Sequence, residues 1–340
     1  MSHAIFRAVT LWGFLRHPRL VEKFRRKTGH FPNIASPRTV QEKFLWRKIF
    51  DHDPRFVRVQ DKLAVKDHAR AILPEIGVPD TLWSGADLAQ APRDVLSRAA
   101  VLKPNHDCGK VVFLPDPDLS FADLEAVTRG WMQKRYGKRK GEWAYKWIVP
   151  RLMIEEKLEN RDGAPLNEIK VYVCGGKAVL TACYAERSSE AASVMIVLPD
   201  RSINRAKIDS VVPQGRFEID PAFDTAVRMA EALGRDFDFI RIDLFVVDGR
   251  VFVGEFTVYP RSGFHTFRDA ELEADWARLW DLRKSWFLST RQPGWRGLYA
   301  RALKAHLDTA DGQGDTAPDV IQVRHGRQGR PYEPRDFSGR

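Results

Sequence analysis

The sequence predicts an α+β fold built on antiparallel sheets, and three observations carry that expectation. Two strand-like runs, Glu168–Cys174 and Lys177–Tyr184, flank Gly175-Gly176, and the run Phe239–Val258 is split by Asp248-Gly249. Such dipeptides between apolar runs are the strongest short-range hairpin signal. Strands also outnumber what a doubly wound parallel sheet would need, and the helical segments between them are short and capped. No internal repeat is visible.

Composition removes other classes. With 340 residues, 44% apolar and 29% charged, the chain is neither collagen-like, coiled-coil nor wholly disordered, and it can bury about three quarters of its unfolded surface. Three cysteines without C-x-x-C spacing argue against a disulfide scaffold or a zinc module, so a reducing cytoplasm is expected. No run approaches the roughly 18 apolar residues of a membrane-spanning helix. The apolar start, residues 4–15, contains Arg7 and lacks a small-x-small cleavage site, so export is not expected.

The net charge of +10 is uneven. Residues 1–48 carry eleven Lys/Arg against two acidic residues, whereas the chain between them and the last fifty residues is slightly acidic. A basic terminus on a near-neutral body is not the diffuse basic face of a nucleic-acid-binding domain, and no nucleic-acid partner is expected. Residues 1–30 read either as a solubilising arm or as an amphipathic helix seeking anionic lipid. In the second reading Phe6, Val9, Phe14 and Leu15 face the membrane beside Arg16, Arg19 and Lys23.

Along the chain, Asp61–Trp83 reads as a helix followed by an exit turn at Gly77 and Pro79, with Asp61 as cap. Short strands follow at Ala99–Lys103 and Val111–Leu114, joined by a polar loop. Ser120 and Asp123 form a capping box for a helix through Trp131. Arg151–Leu158 is strand-like. Asp220-Pro221 opens a helix that Gly234 closes. A helix is expected after residue 291, and the last 30 residues lack periodicity and are expected to be disordered.

Chemistry is not announced by a phosphate loop, a G-x-G-x-x-G, an H-E-x-x-H or a G-x-S-x-G. Four places remain. Arg241 and Asp243 share one strand face, and Glu255 and Thr257 share another, while Ile240, Ile242 and Leu244 form an aliphatic back. Two carboxylates converging on partly buried ground need a cation, and oxygen ligands suit Mg²⁺ or Ca²⁺. An ordinary solvated strand face is the alternative. Lys103 ends an apolar strand before a polar loop, where a lysine either holds phosphate or covers the strand end. Glu155-Glu156 and Asp61-Lys62 each read alone as solvated or capping residues.

Taken in order, Asp61-Lys62, Lys103-Pro104, Glu155-Glu156-Lys157-Leu158, Arg241-Ile242-Asp243, Glu255-Phe256-Thr257 and Pro260 resemble the ATP-grasp superfamily. The similarity is closest to its TupA-like branch, whose stretches include Ser36–Lys43, Gly141–Lys146 and Gly254–Thr257 running on to Ser262–Phe264. The resemblance implies an ATP-grasp fold, with two α+β subdomains gripping ATP and a basic N-terminal extension. Residues 31–290 would form the domain, with a small nucleotide subdomain near 61–150 and an ATP/Mg subdomain near 151–270. It implies that Lys62 and Lys103 contact phosphates and that Glu155, Glu156 and Leu158 belong to an adenine-facing hinge. Asp243, Glu255 and Thr257 would hold Mg²⁺, and Arg241 and Arg187 would act on the transferring phosphoryl group. Thr257 stands where relatives carry Asn, Arg261 where a glycine often follows the proline, and Lys170 near a ribose-binding glutamate of relatives. The phosphate loop, residues 107–110, has only one glycine.

The implied activity is an ATP-dependent carboxylate–amine ligase working through an acylphosphate on a cell-surface polysaccharide or its precursor. A phosphotransferase on the same fold, or a nucleotide-binding protein without turnover, are the alternatives. The shared face of Asp243 and Glu255 needs a specific hairpin. A two-residue turn at Asp248-Gly249 would put them on opposite faces. A three-residue loop, 247–249, pairing 246 with 250 and leaving Phe252 on the apolar face, is therefore expected.

Overall fold

The computed structural model describes residues 2–134, 136–185, 193–204, 219–264 and 269–311. The chain begins with helices α1 (Ser2–Arg16), α2 (Pro18–Thr28), α3 (Val40–Ile49), α4 (Arg55–Gln60) and α5 (Ala64–Ile72). Next come β1 (Thr81–Gly85), α6 (Arg93–Leu96), β2 (Ala100–Pro104), β3 (Val112–Leu114), α7 (Phe121–Gln133) and β4 (Leu152–Glu156). The strands β5 (Asn167–Cys174), β6 (Lys177–Ala185), β7 (Ser193–Val197) and β8 (Ile203–Asn204) precede α8 (Phe223–Gly234). After β9 (Ile240–Val247) and β10 (Arg250–Thr257) come α9 (Ala270–Leu279), α10 (Trp286–Ser289) and α11 (Gly294–Asp311).

Two antiparallel sheets result, in the orders β1-β4-β2-β3 and β10-β9-β5-β6-β7-β8. Each has its own apolar core. The small lobe buries Leu88, Leu102, Leu124, Trp131 and Ile154, and the large lobe buries the backs of β5, β6, β9 and β10. The capping box at Ser120 is present, with Asp123 accepting from the Ser120 amide in return. Asp61 accepts from the Leu63 amide at the head of α5. The helix expected to open at Asp220-Pro221 starts at Phe223 instead, Asp220 accepting from the Ala222 amide before it. The chain passes between sheets twice. The first passage, before β1, is stitched to β10: the Gly77 amide donates to the Val251 carbonyl at 2.9 Å, and the Gly77 carbonyl accepts from the Val253 amide at 2.8 Å. The second joins β4 to β5.

Helix α3 lies under the large sheet with all ten residues buried, five of them polar or charged. Its Arg47 is fully buried, donates to Asp238 at 2.6 Å and lies 3.8 Å from Asp51. Phe56, Phe239 and Trp280 enclose the guanidinium, with ring centroids at 5.1, 5.6 and 4.7 Å. Burial, aggravated by neighbouring Asp238, pushes the Asp51 carboxyl up to about 8 despite Arg47. Two carboxyls around one cation thus hold a proton between them near neutral pH.

The N-terminal helices are not a free arm. Val9 and Phe24 are buried in the large core, and Phe6 packs edge-on against Tyr299 of α11 at 6.4 Å. Of the side chains expected on lipid, Val9 is buried and Phe6 and Phe14 are half-buried against the chain itself; only Leu15 faces outward. Apolar surface within reach of a protein core packs there first, because covalent attachment makes that contact the nearest one. The residues from 312 on, expected as a tail, lie outside the described residues.

The β9–β10 hairpin corrects the sequence expectation in mechanism but not in outcome. The turn has two residues: Val247 pairs with Arg250, and Asp248 and Gly249 have φ of 47° and 76°. Positive φ at both central positions is what a type I′ turn demands. The register then shifts by one between Val253 and Glu255, a β-bulge at Gly254, and Glu255 pairs directly with Asp243. The bulge restores the shared face that the turn alone would have split. Val253 is therefore buried with Leu244, while Phe252 stands opposite Phe245 on the front, the reverse of the expected placement of these two. A Cβ on Gly254 would lie 2.7 Å from the Phe245 ring and 3.2 Å from the Asp243 carbonyl, so the bulge requires glycine for space.

Candidate functional site

The front face of the large sheet gathers charge from three neighbouring strands. Register places Tyr172 opposite Arg241, Lys170 opposite Asp243, Asp243 opposite Glu255 and Arg241 opposite Thr257. Side chains directly opposite one another share a face, so these six positions, with Glu168 two residues before Lys170, form one surface. Arg241 forks onto Asp243, Nε to Oδ1 at 2.6 Å and Nη2 to Oδ2 at 2.7 Å, and also donates to Thr257 Oγ1 at 3.0 Å. Lys170 Nζ donates to Asp243 Oδ2 and Glu168 Oε1, both at 2.5 Å. Burial opposes ionisation of Asp243, but Arg241 and Lys170 outweigh it and hold the carboxyl below its usual range.

Glu255 differs from Asp243. It is half-exposed and, among the described residues, takes no hydrogen bond or ion pair. Among the described residues, two cations and three carboxylates leave this surface one negative charge in excess. The donors are all oxygens, and Asp243 Oδ1, which accepts one hydrogen bond, keeps a second lone pair. That set fits a hard divalent cation. Among the described residues no three His, Cys, Asp or Glu side chains are placed to hold one metal ion, so a third side-chain donor would have to be another group, and Thr257 is the one the sequence resemblance implies.

The small lobe brings a loop to this surface. Lys62 donates to the Asp107 carbonyl at 2.7 Å and its amide to the Asn105 carbonyl at 3.1 Å, which fixes the loop following β2. Burial, and next the charge of Glu255, raise the Cys108 thiol, so the loop lies within electrostatic reach of Glu255. Tyr145, half-buried, is raised by the same two causes in the same order. The 107–110 loop, which Lys62 holds, thus lies near Glu255. Lys103 is not in contact with Asp243 or Glu255. Its ammonium is ion-paired with Glu155 Oε1, while Lys66 holds Oε2 at 2.8 Å. These two lysines outweigh burial and lower the Glu155 carboxyl.

Of the remaining expected site residues, Glu156 ends β4, its amide donating to Asp80 at 3.0 Å, and Leu158 follows in the passage to β5. Arg187 lies outside the described residues. Arg261, where a glycine is usual, and Ser262 adopt φ of 51° and 56°, the left-handed region that favours glycine. Two site members escaped the sequence reading. Sequence reasoning marks Lys170 only as standing near a ribose-binding glutamate of relatives, and gives no signal for Lys66. The alternation Glu168, Lys170, Tyr172 against Ile169, Val171, Val173 carries the same front-and-back signal as Arg241 and Asp243.

Two antiparallel sheets, a lysine-pinned loop from the smaller and an opposed carboxylate pair on the larger define an ATP-grasp domain. The TupA-like ATPgrasp family model matches residues 42–276, and the chain belongs to that family. No curated protein matches its sequence. Similar solved structures are distant. The ATP-grasp ligase PsnB with its minimal precursor is 17% identical over 76% of this chain and 63% of its own, with a TM-score of 0.37. D-alanine–D-alanine ligase from Bacillus anthracis with ATP is 16% identical over 76% and 69%, with a TM-score of 0.39. An L-amino acid ligase from Bacillus licheniformis is 15% identical over 61% and 42%, with a TM-score of 0.36. The chain thus spans under two thirds of PsnB. Among the described residues no helix is long and apolar enough to cross a membrane.

Proposed function

We propose that the chain is an ATP-dependent carboxylate–amine ligase using Mg²⁺. The observation that carries this is Asp243 directly opposite Glu255 on an open sheet face, above Arg241 and Lys170. Membership of the TupA-like family supports the substrate class: a carboxylate of a cell-surface polysaccharide or its precursor, and an amine. In the reaction a substrate carboxylate oxygen attacks the γ-phosphorus and ADP leaves. The amine then attacks the acyl carbon, and inorganic phosphate leaves as the amide forms.

Asp243, Glu255 and Thr257 would hold the metal, which when bound neutralises charge on the phosphate oxygens. Arg241, forked on Asp243, is positioned to offer its remaining N–H groups to the transferring phosphoryl. Lys62 supports the phosphate-facing loop, and Lys103 reaches phosphate by exchanging its contact with Glu155. Glu155, Glu156 and Leu158 form the hinge between sheets, where backbone groups can meet an adenine edge. Arg187 is retained as a second cation near the γ-phosphate.

ADP release with ATP, Mg²⁺ and candidate carboxylates, with and without amines, tests the reading. The expected result is sustained ADP release only when carboxylate and amine are both present, and at most about one ADP per enzyme with the carboxylate alone. Release with a sugar hydroxyl and no amine would mean phosphotransfer, and no release with any acceptor would mean a binding protein. Calorimetry on Lys103→Met should show at least about tenfold weaker MgATP binding at an unchanged melting temperature, the loss expected for a charge-assisted contact. Wild-type affinity in that variant would remove Lys103 from the site.

A further inference from the structure

The face formed by α1 and α11 combines exposed apolar side chains with cations. On α1 the outward row is Ala4, Ala8, Leu11 and Leu15, spaced as one helical stripe, with Leu11 and Leu15 exposed to 61% and 74%. Trp12 meets Trp295 edge-on at 4.8 Å, which sets this row beside the exposed Trp295 and Leu298 of α11. Around α11 from Leu298, a concavity of about 710 Å³ is lined by Arg291, Arg301 and Lys304. None of the three has an acidic partner among the described residues. Helix α1 contains no acidic residue, and Arg7, Arg16 and Arg19 are exposed along it and just beyond. The only acidic residues of α11, Asp308 and Asp311, stand at its far end.

We infer that this face docks on an anionic lipid bilayer, with the apolar ridge entering the acyl boundary and a lipid phosphate seated among Arg291, Arg301 and Lys304. Charge complementarity selects this occupant. An apolar ridge rimmed only by cations suits a surface that is apolar within and negative at its headgroups, and a protein partner would need a matching acidic rim. The concavity is of ligand size. The set of lipid-facing residues differs from the one sequence periodicity suggests, because Phe6 packs on α11, Val9 is buried in the core, and the opposite side of α1 remains. The inference does not depend on the ligase reading.

The test is co-sedimentation of the full chain with vesicles of phosphatidylcholine alone or mixed equally with phosphatidylglycerol. Two variants carry it, a charge reversal (Arg291→Glu, Arg301→Glu, Lys304→Glu) and a ridge variant (Leu11→Gln, Leu298→Gln). All five positions are exposed, so melting temperatures should match wild type. Wild type should partition onto the mixed vesicles, weaken with added salt and bind phosphatidylcholine poorly. Each variant should lose at least about tenfold in partitioning, since each basic residue near an anionic surface contributes about fivefold. Wild-type partitioning by either variant, equal binding to both vesicle types, or no binding to either overturns the proposal. So does a dimer that buries Leu11 and Leu298.

Discussion

Two buried charge clusters in this molecule use the same parts and do opposite things. Beneath the sheet, Arg47 sits between Asp51 and Asp238, closed in by three aromatic rings. On the front of the sheet, Arg241 and Lys170 hold Asp243, with Glu168 and Glu255 alongside. In the sealed cluster the shortage of cation is met by a proton, and Asp51 is pushed up to about 8. In the open cluster there are two cations and Asp243 stays ionised, its carboxyl lowered. The difference lies in the walls more than in the charges. A buried carboxylate enclosed by rings can only take a proton, whereas one beside an open glutamate is available to an outside cation.

The largest expected effect is on the sealed side. Arg47→Met strands two buried carboxylates and should cost about 3–5 kcal/mol of stability in urea unfolding. Arg241→Met should cost less, because Lys170 still neutralises Asp243, but should reduce MgATP affinity at least about tenfold. Equal stability losses in the two variants would erase the distinction. Gly254→Ala comes next. It presses a methyl group into the Phe245 ring and should cost about 1–3 kcal/mol, the usual range for overpacking, while leaving the Arg47 cluster untouched.

The remaining effect is a pH slope. Asp51 has a folded pKa above its unfolded one, so its contribution is full below 3.8 and is lost as pH rises through about 8. Asp243 has a depressed folded pKa, so its contribution is present above 3.8 and lost as pH falls below that. Comparing melting curves, Asp51→Asn should gain relative to wild type from pH 5 to 9, and Asp243→Asn should lose least in acid. Parallel wild-type and Asp51→Asn profiles would show that the sealed cluster does not titrate.

Local signals were legible in the sequence and distant pairings were not. Both hairpins, the Ser120 capping box and the shared face of Arg241 and Asp243 follow from turn chemistry and alternation over a few residues, whereas Glu255 reaches that face only through the bulge at Gly254. Helix α3 did not, because five of its ten buried residues are polar or charged and hydropathy places such a segment in solvent. Lys170 meets Asp243 across 73 positions of chain, and Lys103 meets Glu155 across 52. Those contacts exist only once β5 pairs with β9 and β2 with β4, and no short window contains them. Parity arguments failed at Gly254 for a related reason: alternation was counted without an extra residue.

That extra residue can be restated in terms of reading frame. Along β10, Val253 belongs to the back and Glu255 to the front, so without Gly254 they would alternate as neighbours in a regular strand. An in-frame deletion of codon 254 is therefore expected to keep Asp243 opposite Glu255 and Ile242 opposite Phe256. Deletion of codon 248 or 249 keeps that pairing only if Val247 and Arg250 unpair into a three-residue loop closing at the 246–251 pair; a new two-residue turn would shift the phase of everything beyond it and turn Glu255 into the core. Length variation among relatives should collect at the bulge and avoid the turn.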